Sequence, residues 1–299
     1  MANFFEKKRN IVFIAIFYTF LWGSAFPLVK LCMEGFDISD DMSKCLIAGI
    51  RFIISGLLLT AYNFLKDRKK ALPSKSELKY FMSYGALATS VQYAFTYIGL
   101  SRVNGSVGAI YDQLCVFLII IFAGFFDKGD KLNLKKIFGC AVGFFGVTLV
   151  STDGGSFSFS LPGDGMMILA ALCQSAAYFV ASGSAGKIDA RKLVGYGQLF
   201  GGIILTAFSL LVGGRISDVS LVGVITLVAL SLISAIAYVL SLIPLKYFPA
   251  SEISVFNLLI TVFGVVMSAL VLGENVFKIS YLASLLLISL GILLVNKRS

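Results

Sequence analysis

Ten apolar runs, each near the length that crosses a bilayer, occupy almost all of this 299-residue chain. They lie at roughly 11–31, 44–65, 78–100, 104–126, 135–151, 163–186, 191–213, 220–244, 249–272 and 277–296. A spanning helix needs about 20 mostly apolar residues. Hydrocarbon admits only helices or closed barrels, because every backbone polar group there must find its partner inside the structure. The runs therefore predict helices, the fifth of them short. No remaining stretch is long enough for a separate soluble domain. Charged residues make up only 14% of the chain, against about 25% in soluble domains. The first run follows Lys7, Lys8 and Arg9 as a signal peptide would, but a run of about 21 residues suits a retained span better than a cleaved one.

Charge orients the runs. With the N-terminus inside, 19 of the 25 Lys and Arg residues fall in inner segments and 4 in outer loops. Lys30 and Arg51 lie within spans, and the first outer loop, EGFDISDD, is acidic. Basic residues collect on the cytoplasmic side of membrane proteins, so both termini are expected inside. The net charge of +9 sits in short loops, which argues for the lipid bilayer as partner and against nucleic acid. The chain has no His, and its five Cys show no metal-like spacing, so neither metal nor cofactor is expected. It lacks HExxH, GxSxG and GxxxxGK[ST]. That argues against an enzyme and against an ATP-driven pump.

The chain also resembles itself weakly. A shift of 144 lays Gln113 on Asn257, Asp130 on Glu274 and Leu100 on Pro244. A small indel brings FGVTLV (145–150) onto LGILLV (290–295), and slightly larger offsets bring Arg51 onto Gln198 and Trp22 near Gln174. Two halves of five spans each must run through the membrane in opposite senses. The expected fold is thus an all-α membrane protein of ten transmembrane helices, arranged as two inverted five-helix repeats around a central cavity. Inverted repeats are a building plan of secondary transporters, with the substrate site near the midplane.

Polar residues inside such runs face the bundle interior or a wet cavity. In the ninth run Ala250, Ser254, Asn257, Thr261, Gly264 and Ser268 share one helical face. In the sixth, Gly163, Met167, Ala170, Gln174, Ala177, Ala181 and Ser184 do the same, and in the fourth Gly105, Gly108 and Asp112. The glycines and alanines read as close helix packing. Asp112, Gln113, Gln174 and Asn257 read as cavity lining. Gln113 lies roughly 14 Å from the outer end of its run, and Asn257 is about as deep from the inner end of its own. Arg51, eight positions into the second run, is open to three readings: partner of Asp112, inter-helix tie or contact for an anionic substrate group. Tyr93 and Tyr97, one turn apart, and the single Trp22, far from the interface, fit packing and binding equally.

At LWGSAFPLVK (21–30) the sequence resembles the drug/metabolite transporter superfamily, in its EamA-type ten-span members. RF (51–52), YIGL (97–100), GCAVGFFGVTLV (139–150) and LGEN (272–275) follow in the family's order. The resemblance implies two EamA repeats, 1–152 and 153–299, and a bacterial inner-membrane location. It implies export or exchange of amino acids or other small metabolites, by alternating access. It also implies a cavity lined by Trp22, Tyr93, Tyr97, Asp112, Gln113, Gln174, Tyr178, Tyr238 and Asn257. Many members carry Pro midway through the fourth and ninth spans, where this chain has Phe117 and Thr261, so a helix break is not assured there. The first half also reads KGDKL (128–132) where GE is usual.

Three roles stay open for Asp112: anchor for a substrate ammonium, proton carrier for coupled transport, or structural partner of Arg51. A monomeric exporter of amino-acid-like metabolites is the leading expectation. A lipid-carrier flippase and a facilitated-diffusion uniporter or channel are the alternatives.

Overall fold

The computed structural model describes residues 8–126, 133–149, 152–153, 156–157, 159–247 and 255–296. It is helical apart from one antiparallel hairpin of two-residue strands, β1 (Thr152–Asp153) and β2 (Ser156–Phe157). The helices are α1 (Lys8–Gly35), α2 (Asp41–Lys66), α3 (Lys75–Gly85), α4 (Gln92–Leu100), α5 (Gly105–Tyr111), α6 (Leu114–Phe126), α7 (Leu134–Leu149), α8 (Met166–Ser184), α9 (Ala190–Leu211), α10 (Leu221–Leu242), α11 (Leu258–Leu272) and α12 (Ile279–Asn296). A single helical turn, Arg68–Ala71, follows α2. A π-helical segment, Ala86–Val91, joins α3 to α4, and another, Leu161–Gly165, leads into α8. Among the described residues, six helical stretches are long and apolar enough to cross a membrane, with shorter apolar helices at 259–272 and 279–291.

Local signals set the helix starts. Asp40 accepts from the Ser43 amide at 2.8 Å to cap α2, and Ser220 accepts from the Gly223 amide at 3.0 Å to cap α10. Ahead of α3, the Ser74 amide donates to the Glu77 carboxylate at 2.8 Å, the return half of a capping box. The expected fourth span is interrupted. Residues 112–113 form a turn between α5 and α6, so the break falls at Asp112–Gln113 and needs no proline. The ninth also changes character at depth: a short 3₁₀ turn, Val255–Asn257, precedes α11. Ala250, Ser254 and KGDKL lie outside the described residues.

Packing inverts the soluble pattern. Phe13, Leu57, Phe208, Ile225 and Leu286 face outward, while Arg51, Ser55, Gln92, Gln113, Gln198, Ser234 and Thr261 are buried. An apolar exterior over a polar interior suits lipid. Helix α1 packs on α10 and α11, α8 on α4 and α6, α2 on α9, and α7 on α12. The α2–α9 contact depends on missing side chains. A Cβ on Gly202 would stand 2.8 Å from the Ile53 nitrogen and 2.9 Å from the Gly49 oxygen, so the two backbones touch directly.

Candidate functional site

Two small cavities meet in the core. One, of about 30 Å³, is lined by Arg51, Asp112, Tyr93, Thr96, Met167 and Ala170 among others. The second, of about 50 Å³, is lined by Tyr18, Tyr84, Cys115, Gln174, Tyr178, Tyr238 and Asn257 among others. Trp22 and Gln92 line both and so stand at their junction. Leu242 lines the second cavity and also a much wider hollow of about 560 Å³, whose wall includes Lys66, Lys187, Asp189, Arg191 and Lys246. The series runs from that hollow through Leu242 and then Trp22 to Asp112 and Arg51. At about 10–15 Å³ per water, the two inner cavities hold a few waters and no organic solute.

The helix break positions Asp112. Helix α5 ends one residue before it, so the carboxylate sits on a turn rather than along a helix face. Gln174 of α8 lines the neighbouring cavity. Gln113, fully buried, turns elsewhere. Its Nε2 donates to the Asn257 main-chain oxygen at 3.0 Å, and it lines neither cavity. The two residues that the internal repeat superimposes thus meet directly. The Asn257 side chain accepts from the Tyr18 hydroxyl at 3.3 Å.

Arg51 and Asp112 line one cavity, yet no ion pair joins them. The Arg51 Nε donates to Ser234 Oγ at 2.8 Å and to the Leu230 carbonyl at 3.2 Å, and Nη1 donates to the Tyr97 hydroxyl at 3.3 Å. Its guanidinium carbon lies 5.0 Å from the Phe52 ring centroid and 5.3 Å from that of Tyr93, within cation–π range. Tyr238 ties this group to the other cavity. Its hydroxyl is 3.1 Å from the Tyr93 hydroxyl and 3.3 Å from the Ala88 carbonyl in the π segment, and its ring is 4.5 Å from that of Trp22. Trp22 Nε1 and the Tyr178 hydroxyl are buried without a hydrogen-bond partner.

Eight of the ten residues singled out in the sequence (Trp22, Arg51, Tyr93, Asp112, Gln174, Tyr178, Tyr238 and Asn257) line the cavities, and Tyr97 stands behind them, bonded to Arg51. Gln113 instead holds Asn257. Sequence reasoning missed Tyr18, Tyr84, Gln92 and Ser234. For Gln92 a signal existed: it is a carboxamide deep in an apolar run, next to a tyrosine already singled out. Ser234 had none, since serines are common in spans.

At the end of the bundle opposite the wide hollow, the two halves of the chain are tied. Glu274 accepts from the Gly105 amide at 2.7 Å, the Ser106 amide at 3.0 Å and Ser106 Oγ at 2.6 Å. Arg102 donates to Asp41 at 2.8 Å beside it.

The EamA-like transporter family matches the chain twice, over residues 9–152 and 161–297. The chain belongs to this family. Membership makes it a multi-pass membrane transporter with a small-molecule substrate, in keeping with its apolar exterior. Over nearly its whole length it is similar to the uncharacterized transporter YvbV of Bacillus subtilis, with 26% identity covering 98% of this chain and 93% of the relative. It is 23% identical to a probable amino-acid metabolite efflux pump of Escherichia coli, over 92% of this chain and 91% of that protein. A crystal structure 16% identical in sequence matches with a TM-score of 0.70, covering 96% of this chain and 98% of the other. At that identity the likeness concerns the fold alone.

Proposed function

We propose that the chain is a secondary transporter that exports amino-acid-like metabolites across the bacterial cytoplasmic membrane by alternating access, acting as a monomer. The observation that carries this reading is the polar lining of the joined cavities: Asp112 and Gln174 among aromatic walls, inside a body whose exterior is apolar. A charge at that depth is costly and marks a substrate or ion pathway. In this reading Asp112 receives the substrate ammonium. Gln174 and Asn257 add hydrogen bonds, Trp22, Tyr93, Tyr178 and Tyr238 form the wall, and Tyr97 holds Arg51 from behind. Gln113 supports the site from behind by holding Asn257.

Ten spans in two inverted halves, 1–152 and 153–299, are the architecture that goes with this function. The twofold family match supports it. So does the reciprocal packing, in which α1 contacts α10 and α11 as α8 contacts α4 and α6. The distribution of Lys and Arg supports both termini inside. The wide hollow with its four basic residues then opens to the cytoplasm, and the Glu274 tie closes the outer side. Substrate enters from the cytoplasm, and the passage must widen at Leu242 and Trp22 to admit it, since pockets for small organic ligands hold roughly 300 Å³ or more.

The test is expression in a bacterium lacking its own related exporters, with metabolites profiled in cells and medium over time. Accumulation of one amino acid or close derivative outside, above an empty-vector control, is the expected result. Accumulation inside, or release of a lipid-linked species instead, would replace this reading with uptake or lipid-carrier flipping.

A further inference from the structure

We propose that Arg51 anchors a carboxylate of the substrate, so that the transported species carry an anionic group as well as an ammonium. This rests on the reading of the joined cavities as the transport site. Arg51 is 2% exposed, and a guanidinium keeps its charge at any physiological pH. Every partner it has is neutral: a carbonyl, two hydroxyls and two aromatic rings. Among the described residues no carboxylate lies within ion-pair distance. A buried cation held only by neutral groups is incompletely compensated, and an arriving anion would complete it.

The donor geometry says where that anion fits. Arginine has five N–H donors. Among the described residues, hydrogen bonds leave Nε and Nη1 and none leaves Nη2. Arg51 lines the same cavity as Asp112, Gln92 and Trp22. The indole Nε1 of Trp22, which can only donate, is likewise buried and without a partner. Two donor groups without partners, one of them charged, thus belong to residues that line one cavity, and a carboxylate with two oxygens is the simplest acceptor that would satisfy both. The acidic group lining this cavity is the carboxyl of Asp112. A guanidinium and a carboxyl that share a small cavity without pairing are complementary to a zwitterion, its carboxylate at Arg51 and its ammonium at an ionised Asp112. Simple amines, polyamines and amino-acid amides would leave Arg51 uncompensated.

Trp22 is the only tryptophan of the chain, so its fluorescence in the purified protein reports occupation of this site. The probes are a panel of L-amino acids, each with its α-amide, its decarboxylated amine and its 2-oxo acid. The expected result is that at least one amino acid perturbs the signal, while its amide and amine bind roughly tenfold or more weakly, as in sites built to bond a group the analogue lacks. In Arg51→Met the amino acid and its amide should bind alike, and Arg51→Lys should fall between. The wild-type comparison needs no variant, so misfolding of Arg51→Met does not decide the matter.

Equal binding of amide and amino acid by the wild type overturns the proposal and leaves the role of Asp112 standing. Arg51-dependent binding of the 2-oxo acids alone supports the anion anchor and refutes the amino-acid reading. No response to any probe overturns both.

Discussion

Glu274→Gln should loosen one half-helix and little else. Glu274 follows α11 in the second half of the chain and grips the start of α5 in the first. It accepts from two backbone amides and a hydroxyl, at 2.6 to 3.0 Å. The carboxylate also faces the positive end of α5. Glutamine retains one acceptor oxygen and turns an NH₂ toward N–H groups that are themselves donors. Hydrogen bonds to charged groups contribute about 1.5–3 kcal/mol each. Glu274 is partly exposed, so a loss of about 2 kcal/mol for the whole grip is a fair value. That corresponds to a roughly thirtyfold larger local opening constant. Hydrogen exchange read by mass spectrometry should show peptides across 104–112 exchanging faster, with those of α2 and α9 unchanged. Unchanged exchange at 104–112 would refute the grip. Acceleration spread evenly over the molecule would show that Glu274 supports global stability instead.

Further expectations concern packing and pH. Gly202→Ala places a methyl against the α2 backbone, so the two helices must part; overpacking of this kind costs about 1–3 kcal/mol, and thermal inactivation in detergent should occur at lower temperature. Gly183→Ala, with nothing within 4 Å of the new atom, should leave that temperature unchanged or slightly raised. Glu77 and Lys192 form a largely buried ion pair at 2.8 Å. Burial pushes the Glu77 carboxyl up, but Lys192 and the hydrogen bonds from Ser74 outweigh it and hold it below its usual value. A depressed carboxyl contributes stability above its unfolded pKa of about 4.3 and loses it as pH falls through the lower folded value. The gap in thermal stability between wild type and Glu77→Gln should therefore be full at pH 7 and shrink below about pH 4. A gap independent of pH would contradict the assignment.

What the sequence made legible follows from the strength of each constraint. Lipid penalises unpaired polar groups so heavily that the apolar runs read as helices, six of them long enough to span among the described residues, and Asp112, Gln174 and Asn257 line the inner cavities. The same penalty made Arg51 conspicuous. The weak repeat aligns Gln113 with Asn257, and the structure brings them within one hydrogen bond of each other.

The details of the site depend on contacts between distant segments, which no local pattern encodes. Gln113 bonds to a backbone oxygen 144 residues away, so its carboxamide supports the cavity instead of lining it. Arg51 finds Ser234 and Tyr97 rather than Asp112. The break at Asp112–Gln113 arises without a proline, and the π segment at Ala86–Val91 carries no residue type that announces it. That segment presents the Ala88 carbonyl to Tyr238, and its effect on the cavity is visible only in three dimensions.

The central claim is that Asp112 binds what the protein carries. The direct measurement uses proteoliposomes holding wild type, Asp112→Asn or Asp112→Glu. They are loaded with the metabolite that accumulates in the medium of expressing cells, and exchange against its labelled form is followed. Asp112→Asn keeps the size of the side chain and one acceptor oxygen and removes the charge. The account predicts exchange by the wild type, reduced exchange by Asp112→Glu and none above background by Asp112→Asn, with all three proteins equally well folded. Exchange by Asp112→Asn at the wild-type rate would contradict it and leave Asp112 a structural residue.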